Sequence, residues 1–169
     1  NVTVLTGRPN YPDGFIFKDY KENPDKFSFY NNSEIVRVPL VPRKNSSIFL
    51  LLNYLSFAFF GCLIGAWKLR KKKIDVIFVF EPSPITVGIP AALLRKLKNA
   101  PVVFWVLDLW PETLEAIGVI KSKKTLNLIG ILVSWIYSKC DLILAQSIGF
   151  IESINQYNKL RSKVEYFPS

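Results

Sequence analysis

The sequence contains no histidine in its 169 residues. This absence excludes Ser-His-Asp and Cys-His nucleophile systems, HExxH zinc sites and any histidine acting as a general base. Cysteine occurs only at Cys62 and Cys140, which excludes a disulfide framework and a cysteine-based zinc site. We therefore expect no metal site, and any acid–base chemistry must come from carboxylates, hydroxyls or lysines.

Methionine and glycine-rich phosphate motifs are absent as well. The chain does not begin with methionine, and we interpret it as a piece of a longer protein whose ends do not resemble targeting segments. No Gly-x-Gly-x-x-Gly follows a predicted strand, and no Gly-x-x-x-x-Gly-Lys-Ser/Thr occurs anywhere. The usual dinucleotide and nucleoside-triphosphate cradles are therefore excluded.

What is present is the composition of a globular protein with a surplus of positive charge. Apolar residues make up 50% and charged residues 21%, and 22 lysines and arginines against 13 acids give a net charge of +9. The length fits one domain with a self-sufficient core, so we treat residues 1–169 as a single domain. No strand interleaves aromatic and basic residues, so we do not expect a nucleic-acid partner.

Predicted strands and helices alternate along the chain. Strands made of continuous apolar runs are typical of a parallel sheet covered by helices on both faces. We therefore predict an α/β fold with a Rossmann-like, doubly wound parallel sheet. The predicted strands cover residues 2–6, 34–40, 75–80, 102–107, 142–145 and 164–167, and the predicted helices cover residues 46–73, 84–98, 124–139 and 147–157.

The first predicted helix contains an uncharged stretch of 20 residues, 48–67. That length matches a bilayer crossing, but polar residues and glycines dilute its apolarity. A crossing would also separate strands that we assign to one sheet. Three interpretations stay open: a buried core helix, a helix lying in the membrane interface, and a membrane span.

A basic cluster follows this helix. Positive charges near anionic headgroups contribute on the order of 1 kcal/mol each, whereas the alternative is a solvated helix end favoured by the helix dipole. The residues expected to dock on an anionic membrane surface are Phe57, Phe59, Phe60, Trp67, Lys68, Arg70, Lys71, Lys72 and Lys73.

Polar side chains follow the predicted strands at the points where the strands end. In an open parallel sheet, ligands bind beyond the carboxyl ends of the strands. Two carboxylates, Glu81 and Asp108, come directly after predicted strands. The other candidate binding residues near strand ends are Arg8, Asn10, Tyr11, Trp110, Glu112 and Ser147.

Asp108 opens the most informative segment, Asp-Leu-Trp-Pro-Glu. A carboxylate at the end of a buried strand is desolvated and fixed, which suits a general base or a group that binds a hydroxyl. Trp110 offers a flat face for a sugar or lipid. The alternatives are structural: Asp108 and Glu112 cap the short helix that follows, Ser147 is an N-cap, and Arg8 is a solvated loop residue. The helix start at Ser147 also suits a phosphate.

Four segments resemble bacterial glycosyltransferase family 4, in particular the WbuB-like transferases of O-antigen and capsule synthesis. They are residues 2–12, 80–91, 104–114 and 166–169. The resemblance extends over essentially the whole chain, and the Asp-Leu-Trp-Pro-Glu block is its most specific part. Many members of this family place a histidine where this chain has Asp108.

The resemblance implies a GT-B fold of two Rossmann-like domains, with residues 1–169 as most of the N-terminal, acceptor-binding one. The first strand and helix of that domain, and the entire C-terminal nucleotide-sugar-binding domain, would then lie outside the chain. The family is similar in using a retaining, metal-independent transfer without a cofactor. The nucleotide-sugar is a substrate, and the acceptor is often a polyprenyl-diphosphate-linked saccharide at the cytoplasmic face of the inner membrane.

We therefore expect the acceptor-side half of a glycosyltransferase that is peripheral to the membrane. We expect its donor to be a nucleotide-sugar, with a UDP-sugar as the first candidate. In this hypothesis Asp108 orients or deprotonates the acceptor hydroxyl, Glu81, Trp110 and Glu112 contact the acceptor, and a diphosphate meets Arg8 or the Ser147 helix start. Two alternatives stay open: a non-catalytic membrane-associated α/β interaction domain, and a hydrolase or epimerase of sugar nucleotides, which needs its own cofactor cradle.

Overall fold

The structure is a computed structural model that describes residues 1–10, 14–43, 47–160 and 162–169. Strands alternate with helices and include a parallel sheet flanked by helices, so the predicted Rossmann-like α/β class is confirmed. The chain forms two compact units, Asn1–Lys72 and Lys73–Ser169, and each is described by itself.

The first unit is built on a three-stranded sheet. Its strands are β1 (Thr3–Gly7), β2 (Phe29–Tyr30) and β3 (Ser33–Val38), and its helices are α1 (Lys18–Glu22) and α2 (Ser47–Lys68). β1 runs parallel to β3, and β2 adds antiparallel to the other edge of β3. Asn31 and Asn32 both have positive φ, at 42° and 64°, which suits the two-residue turn between β2 and β3.

Helix α2 packs against β1 and β3 through its small and polar residues. Asn53 Nδ2 donates a hydrogen bond to the Val41 carbonyl at 2.6 Å, and Ser56 Oγ accepts one from the Val41 N–H at 2.9 Å. Gly61 and Gly65 are buried on the same helix. The polar residues that dilute the apolar pattern therefore hold the segment that follows β3.

The large apolar side chains of α2 lie on its exposed side. An 18-residue window of Ile48–Lys68 has a mean hydropathy of 2.1, yet only 22% of that window is buried, so within the described residues α2 is not a buried core helix. Among the described residues this is the one helix long and apolar enough to cross a membrane. The exposed residues, spaced three or four apart along one stripe, are Ile48, Leu52, Leu55, Phe59, Leu63 and Trp67.

The second unit is built on a four-stranded, all-parallel sheet in the order β4-β5-β6-β7. The strands are β4 (Ile77–Glu81), β5 (Val102–Val106), β6 (Leu142–Ala145) and β7 (Lys163–Tyr166). The helices are α3 (Gly88–Lys98), α4 (Glu112–Ala116), α5 (Lys123–Tyr137) and α6 (Ile148–Tyr157). Each parallel connection contains a helix, as the geometry of parallel pairing requires.

The core of the second unit lies between one face of this sheet and the helices α3 and α5. Phe104 of β5 is fully buried, and its ring contacts that of Tyr137 edge-on, with 6.1 Å between centroids. Gly88 lets α3 approach closely, because a Cβ there would lie 2.5 Å from Ile136 Cγ2. This close approach fixes how the β4–α3 loop leaves the sheet.

Two details of the predicted fold are wrong. The strands do not form one sheet, because their hydrogen bonds join them into two. The β4–β7 sheet is also not covered on both faces within the described residues, since Phe78, Phe80 and Phe167 each remain about half exposed. A continuous apolar run does not reveal which of its alternating side chains a helix covers. The topological argument against a membrane crossing assumed one sheet, and the strand pairing of the described residues does not supply that premise.

Candidate functional site

The candidate site lies at the carboxyl edge of the β4–β7 sheet. Glu81 is the last residue of β4, Asp108 lies two positions after β5, and Ser147 lies two positions after β6. Because neighbouring parallel strands end at the same edge, this is where an open α/β sheet binds its ligands.

Asp108 is held by two side chains of its own loop. Trp110 Nε1–H donates to Asp108 Oδ2 at 2.9 Å, and Thr113 Oγ1 donates to Asp108 Oδ1 at 2.7 Å. Pro111, not Asp108, occupies the N-cap position of α4, and Asp108 contacts the first turn of that helix through the Thr113 hydroxyl. A half-buried carboxylate with both oxygens oriented retains lone pairs for a further donor, such as a substrate hydroxyl.

Trp110 contributes to the site through its indole N–H. The ring is only 8% exposed, so it presents little surface on which a sugar or lipid could stack. The structure thus places Trp110 as the residue that orients Asp108, a role that the sequence segment alone did not indicate.

Glu81 lies beneath the surface and not in the loop where the sequence placed it. It pairs with Val106 as the last residue of β4 and shares the covered face with Val79. Its side chain is 0% exposed, and neither carboxylate oxygen makes a hydrogen bond of regular geometry, although the backbone N–H groups of Leu107 and Asp108 interact with the carboxylate. Glu81 therefore has no accessible oxygen with which to make the direct contact with an acceptor that the sequence predicted.

The Glu81 carboxyl holds its proton at neutral pH. Burial raises the pKa of Glu81 from its ordinary 4.5 to about 9, and the nearby Asp108 charge raises it as well. The backbone N–H groups of Asp108 and Leu107 lower it only in part. The edge thus carries two carboxyl groups with different environments, one buried and neutral, one accessible and hydrogen-bonded.

The loop between β4 and α3 contains a strained residue. Ser83 has a φ of 134°, in a region that L-residues rarely enter. The Ser83–Pro84 and Trp110–Pro111 peptide bonds are both cis, so each of the two loops beside the carboxyl groups contains one. A strained backbone such as that of Ser83 persists where the surrounding structure fixes it, and residues of this kind cluster at functional sites.

Glu112 starts α4 with one carboxylate oxygen, Oε2, buried and without a hydrogen-bond partner. Burial, and to a lesser degree the charge of Glu115, raises the pKa of Glu112. Burial also raises the pKa of the Tyr157 phenol, and the charges of Glu112 and Glu115 raise it further. Tyr157 of α6 therefore lies close to both acids.

The remaining predicted binding residues occupy separate positions. Ser147 occupies the N-cap position of α6, but its side chain makes no capping hydrogen bond, so that prediction is confirmed for position only. In the first unit, Arg8 is exposed, whereas Asn10 is buried and its carbonyl accepts a hydrogen bond from the Gly14 N–H at 2.7 Å. Tyr11 lies outside the described residues.

Sequence reasoning missed three residues of this neighbourhood. Thr113 binds Asp108 from α4, Tyr137 lies near Glu81, and Tyr157 lies near Glu112. All three are on helices, and only the tertiary fold brings them to the strand ends. In the part of the chain that the structure describes, no three metal-ligating side chains cluster in a way that could hold a metal ion.

The predicted membrane-docking residues divide into two groups. Phe59 and Trp67 are exposed on α2, whereas Phe57 and Phe60 are partly buried. Lys72 is not directed outward, because its Nζ pairs with the Glu34 carboxylate and lies 3.0 Å from Thr3 Oγ1. The exposed basic residues after the apolar stripe are Lys68, Arg70, Lys71 and Lys73.

Comparison with known proteins adds no identification. No protein-family model matches the chain, and no curated protein matches it. The resemblance of the Asp-Leu-Trp-Pro-Glu block to glycosyltransferase family 4 therefore stays a prediction.

Proposed function

We propose that this chain is the acceptor-side domain of a glycosyltransferase. In this proposal a sugar moves from a nucleotide-sugar, with UDP-sugars tested first, to a saccharide carried on a polyprenyl diphosphate. The observation that carries the proposal is Asp108, an accessible carboxylate oriented by Trp110 and Thr113 at the carboxyl edge of a parallel sheet. The resemblance of the sequence around it to family 4 transferases supports the same reaction.

The chemistry requires a group that binds the attacking hydroxyl. The acceptor oxygen forms a bond to the anomeric carbon of the donor sugar, the bond from that carbon to the nucleotide diphosphate breaks, and the hydroxyl proton must leave. Asp108 accepts a hydrogen bond from the hydroxyl and takes up its proton. Because Trp110 and Thr113 hold both carboxylate oxygens, the acceptor meets a fixed base.

The buried Glu81 supports this role indirectly. As a neutral acid it adds no negative charge beside Asp108 at neutral pH. A second ionised carboxylate at that place would instead repel the Asp108 carboxylate. Glu81 is thus a positioning residue in the proposal, not one that touches the acceptor.

A lipid-linked acceptor also fits the exposed stripe of α2. The stripe ends at Trp67, and the cations of Lys68 and Arg70 lie over its ring at 5.2 and 4.7 Å from the centroid. A row of apolar side chains that ends in basic residues matches an anionic bilayer interface. We therefore propose peripheral attachment to the cytoplasmic face of the inner membrane through this stripe.

Vesicle co-sedimentation tests the attachment. The chain should bind vesicles that contain about a third phosphatidylglycerol, and salt should weaken the binding because charge contributes to it. A Phe59→Ser, Leu63→Ser double variant should bind at least about tenfold more weakly. The control is Leu97→Ser, an equally exposed apolar residue of α3. Equal losses in both proteins would refute docking through α2.

The transferase reaction is tested with a protein that carries this chain together with a nucleotide-sugar-binding domain. UDP release is followed with a panel of UDP-sugars and an undecaprenyl-diphosphate-linked monosaccharide. Release should require the lipid acceptor and fall by about two or more orders of magnitude in Asp108→Asn, but not in Asp75→Asn, a control at an exposed acid. Acceptor-dependent release that Asp108→Asn leaves unchanged would remove Asp108 from the mechanism.

The competing function is a non-catalytic, membrane-associated interaction domain. The exposed stripe of α2 fits that function equally well, so only the carboxyl edge distinguishes the two. If the same protein binds vesicles but releases no UDP with any donor, the interaction domain is favoured. The chain alone should not bind UDP-sugars tightly under either hypothesis.

A further inference from the structure

A groove of about 570 Å³ lies on the helical side of the second unit, between α4, α5 and α6. This volume falls within the range of small-molecule sites. Pro111, the residue after Trp110, is one of the residues that line the groove, so the groove borders the loop that holds Asp108. The polar and aromatic residues that line it are Glu115, Lys123, Asn127, Ser134, Gln156, Tyr157 and Lys159.

The ring of Tyr157 lies directly against α5. A Cβ added to Gly130 would come 2.8 Å from Tyr157 Cε1, so only a glycine lets the ring pack this closely. The ring remains part-exposed in the groove. It therefore presents an aromatic surface with a polar phenol at one end.

The lining combines hydrogen-bonding side chains with apolar ones. The amides of Asn127 and Gln156 each offer two donors and an acceptor, and Glu115 offers a carboxylate. The side chains of the groove thus offer both donors and acceptors to a ligand.

We propose that this groove is a saccharide subsite that binds the acceptor's sugar units beyond the one that reacts at Asp108. Vicinal sugar hydroxyls donate and accept at once, which amides and carboxylates complement, and the C–H face of a sugar ring packs on an aromatic ring. The inference rests on the proposed function, because the groove shares Pro111 with the loop that holds Asp108.

The test is an NMR titration of the ¹⁵N-labelled 169-residue chain with N,N′-diacetylchitobiose, lactose and maltose. Concentrations up to about 20 mM detect a Kd of about 1–10 mM. At least one disaccharide should shift the amide signals of Asn127, Gly130 and Tyr157. Gln156→Ala should raise the Kd about five- to tenfold, the scale of one hydrogen bond. The matched control is Asn155→Ala, the preceding residue of α6, which lines a different groove and should leave the Kd unchanged.

Three results would overturn the subsite. They are the absence of binding by all three disaccharides, shifts confined to residues outside the groove, and equal effects of Gln156→Ala and Asn155→Ala. Since both substituted side chains are exposed, loss of folding does not account for a difference between them.

Transferase kinetics separate this inference from the proposed function. Gln156→Ala should raise the KM for the lipid-linked saccharide and leave kcat unchanged, whereas Asp108→Asn should lower kcat. An active enzyme whose acceptor KM is insensitive to Gln156→Ala overturns the subsite alone. Groove binding of a disaccharide together with a kcat insensitive to Asp108→Asn overturns the role of Asp108 alone and supports the subsite.

Discussion

The Glu81→Gln substitution removes a titrating proton from the core of the second unit while keeping the shape of the side chain. The folded-state pKa of Glu81, about 9, lies above its ordinary value of 4.5. The folded state therefore keeps a proton that the unfolded state releases. The resulting contribution to stability is complete below pH 4.5 and is lost as the pH rises towards about 9.

The size of the effect follows from this shift. Each pH unit between the two pKa values lowers the free energy of unfolding by about 1.4 kcal/mol. At pH 7.5 the wild-type side chain thus lowers the stability by about 4 kcal/mol relative to pH 4.5. Glutamine cannot ionise, so the stability of Glu81→Gln relative to wild type should increase with pH by about 1.4 kcal/mol per unit over this range. The slope, not the offset, is the test, because the amide has its own unmet hydrogen bonds.

Urea unfolding between pH 5 and 8, followed by tryptophan fluorescence, measures that slope. Three of the four tryptophans, Trp105, Trp110 and Trp135, lie in the second unit and report on it. Glu152→Gln, at an exposed glutamate of α6, serves as the control and should run parallel to wild type. The side-chain carboxyl ¹³C shift of Glu81 gives the titration directly. Parallel curves for Glu81→Gln and wild type, or a carboxyl that titrates near pH 4.5, would refute the reasoning.

Four further substitutions test other positions by urea unfolding. Asp141→Asn breaks the ion pair with an α3 arginine and should cost about 1 kcal/mol at this part-exposed position. Because that arginine lowers the pKa of Asp141, the loss should shrink as the pH falls through the acid range. Gly88→Ala should lower the free energy of unfolding by about 1–3 kcal/mol, because the added methyl overpacks the core. Gly149→Ala is the control, because α6 has room for a methyl there, and it should leave that free energy unchanged or raise it by up to about 1 kcal/mol. Asn158→Ala removes two hydrogen bonds that close the turn after α6 and should cost about 1–2 kcal/mol; a loss below 0.5 kcal/mol, roughly the smallest net hydrogen bond, would show that water replaces them.

The central strands and their succession along the chain were predictable from the sequence, because apolar runs bounded by turn residues are a strong local signal. β6 has the predicted bounds, and β5 differs by one residue at its end. The predicted helix over 84–98 is a 3-10 turn, Ile85–Val87, followed by α3. The short elements β2 and α1 were not predicted, because segments of two to five residues contain too little periodicity to identify. A short helix was expected after Asp108, and α4 is found there.

The orientation of the site residues was less predictable. Glu81 directly follows an apolar run, and nothing in that run distinguishes the covered face of β4 from the open one. Extending the strand by one residue placed Glu81 on the covered face with Val79, away from the edge. The outward position of Asp108 was predicted, but its partner Thr113 depends on how α4 folds back after the turn.

The open side of β4 has a consequence for handling the protein. Among the described strands, β4 pairs with β5 alone, so its other edge presents backbone N–H and C=O groups without a strand partner. Phe78 and Phe80 are half exposed on the same strand. An apolar edge of this kind is a template for intermolecular strand addition. The yield of soluble protein on expression should therefore depend on protein concentration and on chaperone supply. Phe78→Lys should reduce aggregation more than Leu97→Lys, which changes an exposed residue of α3.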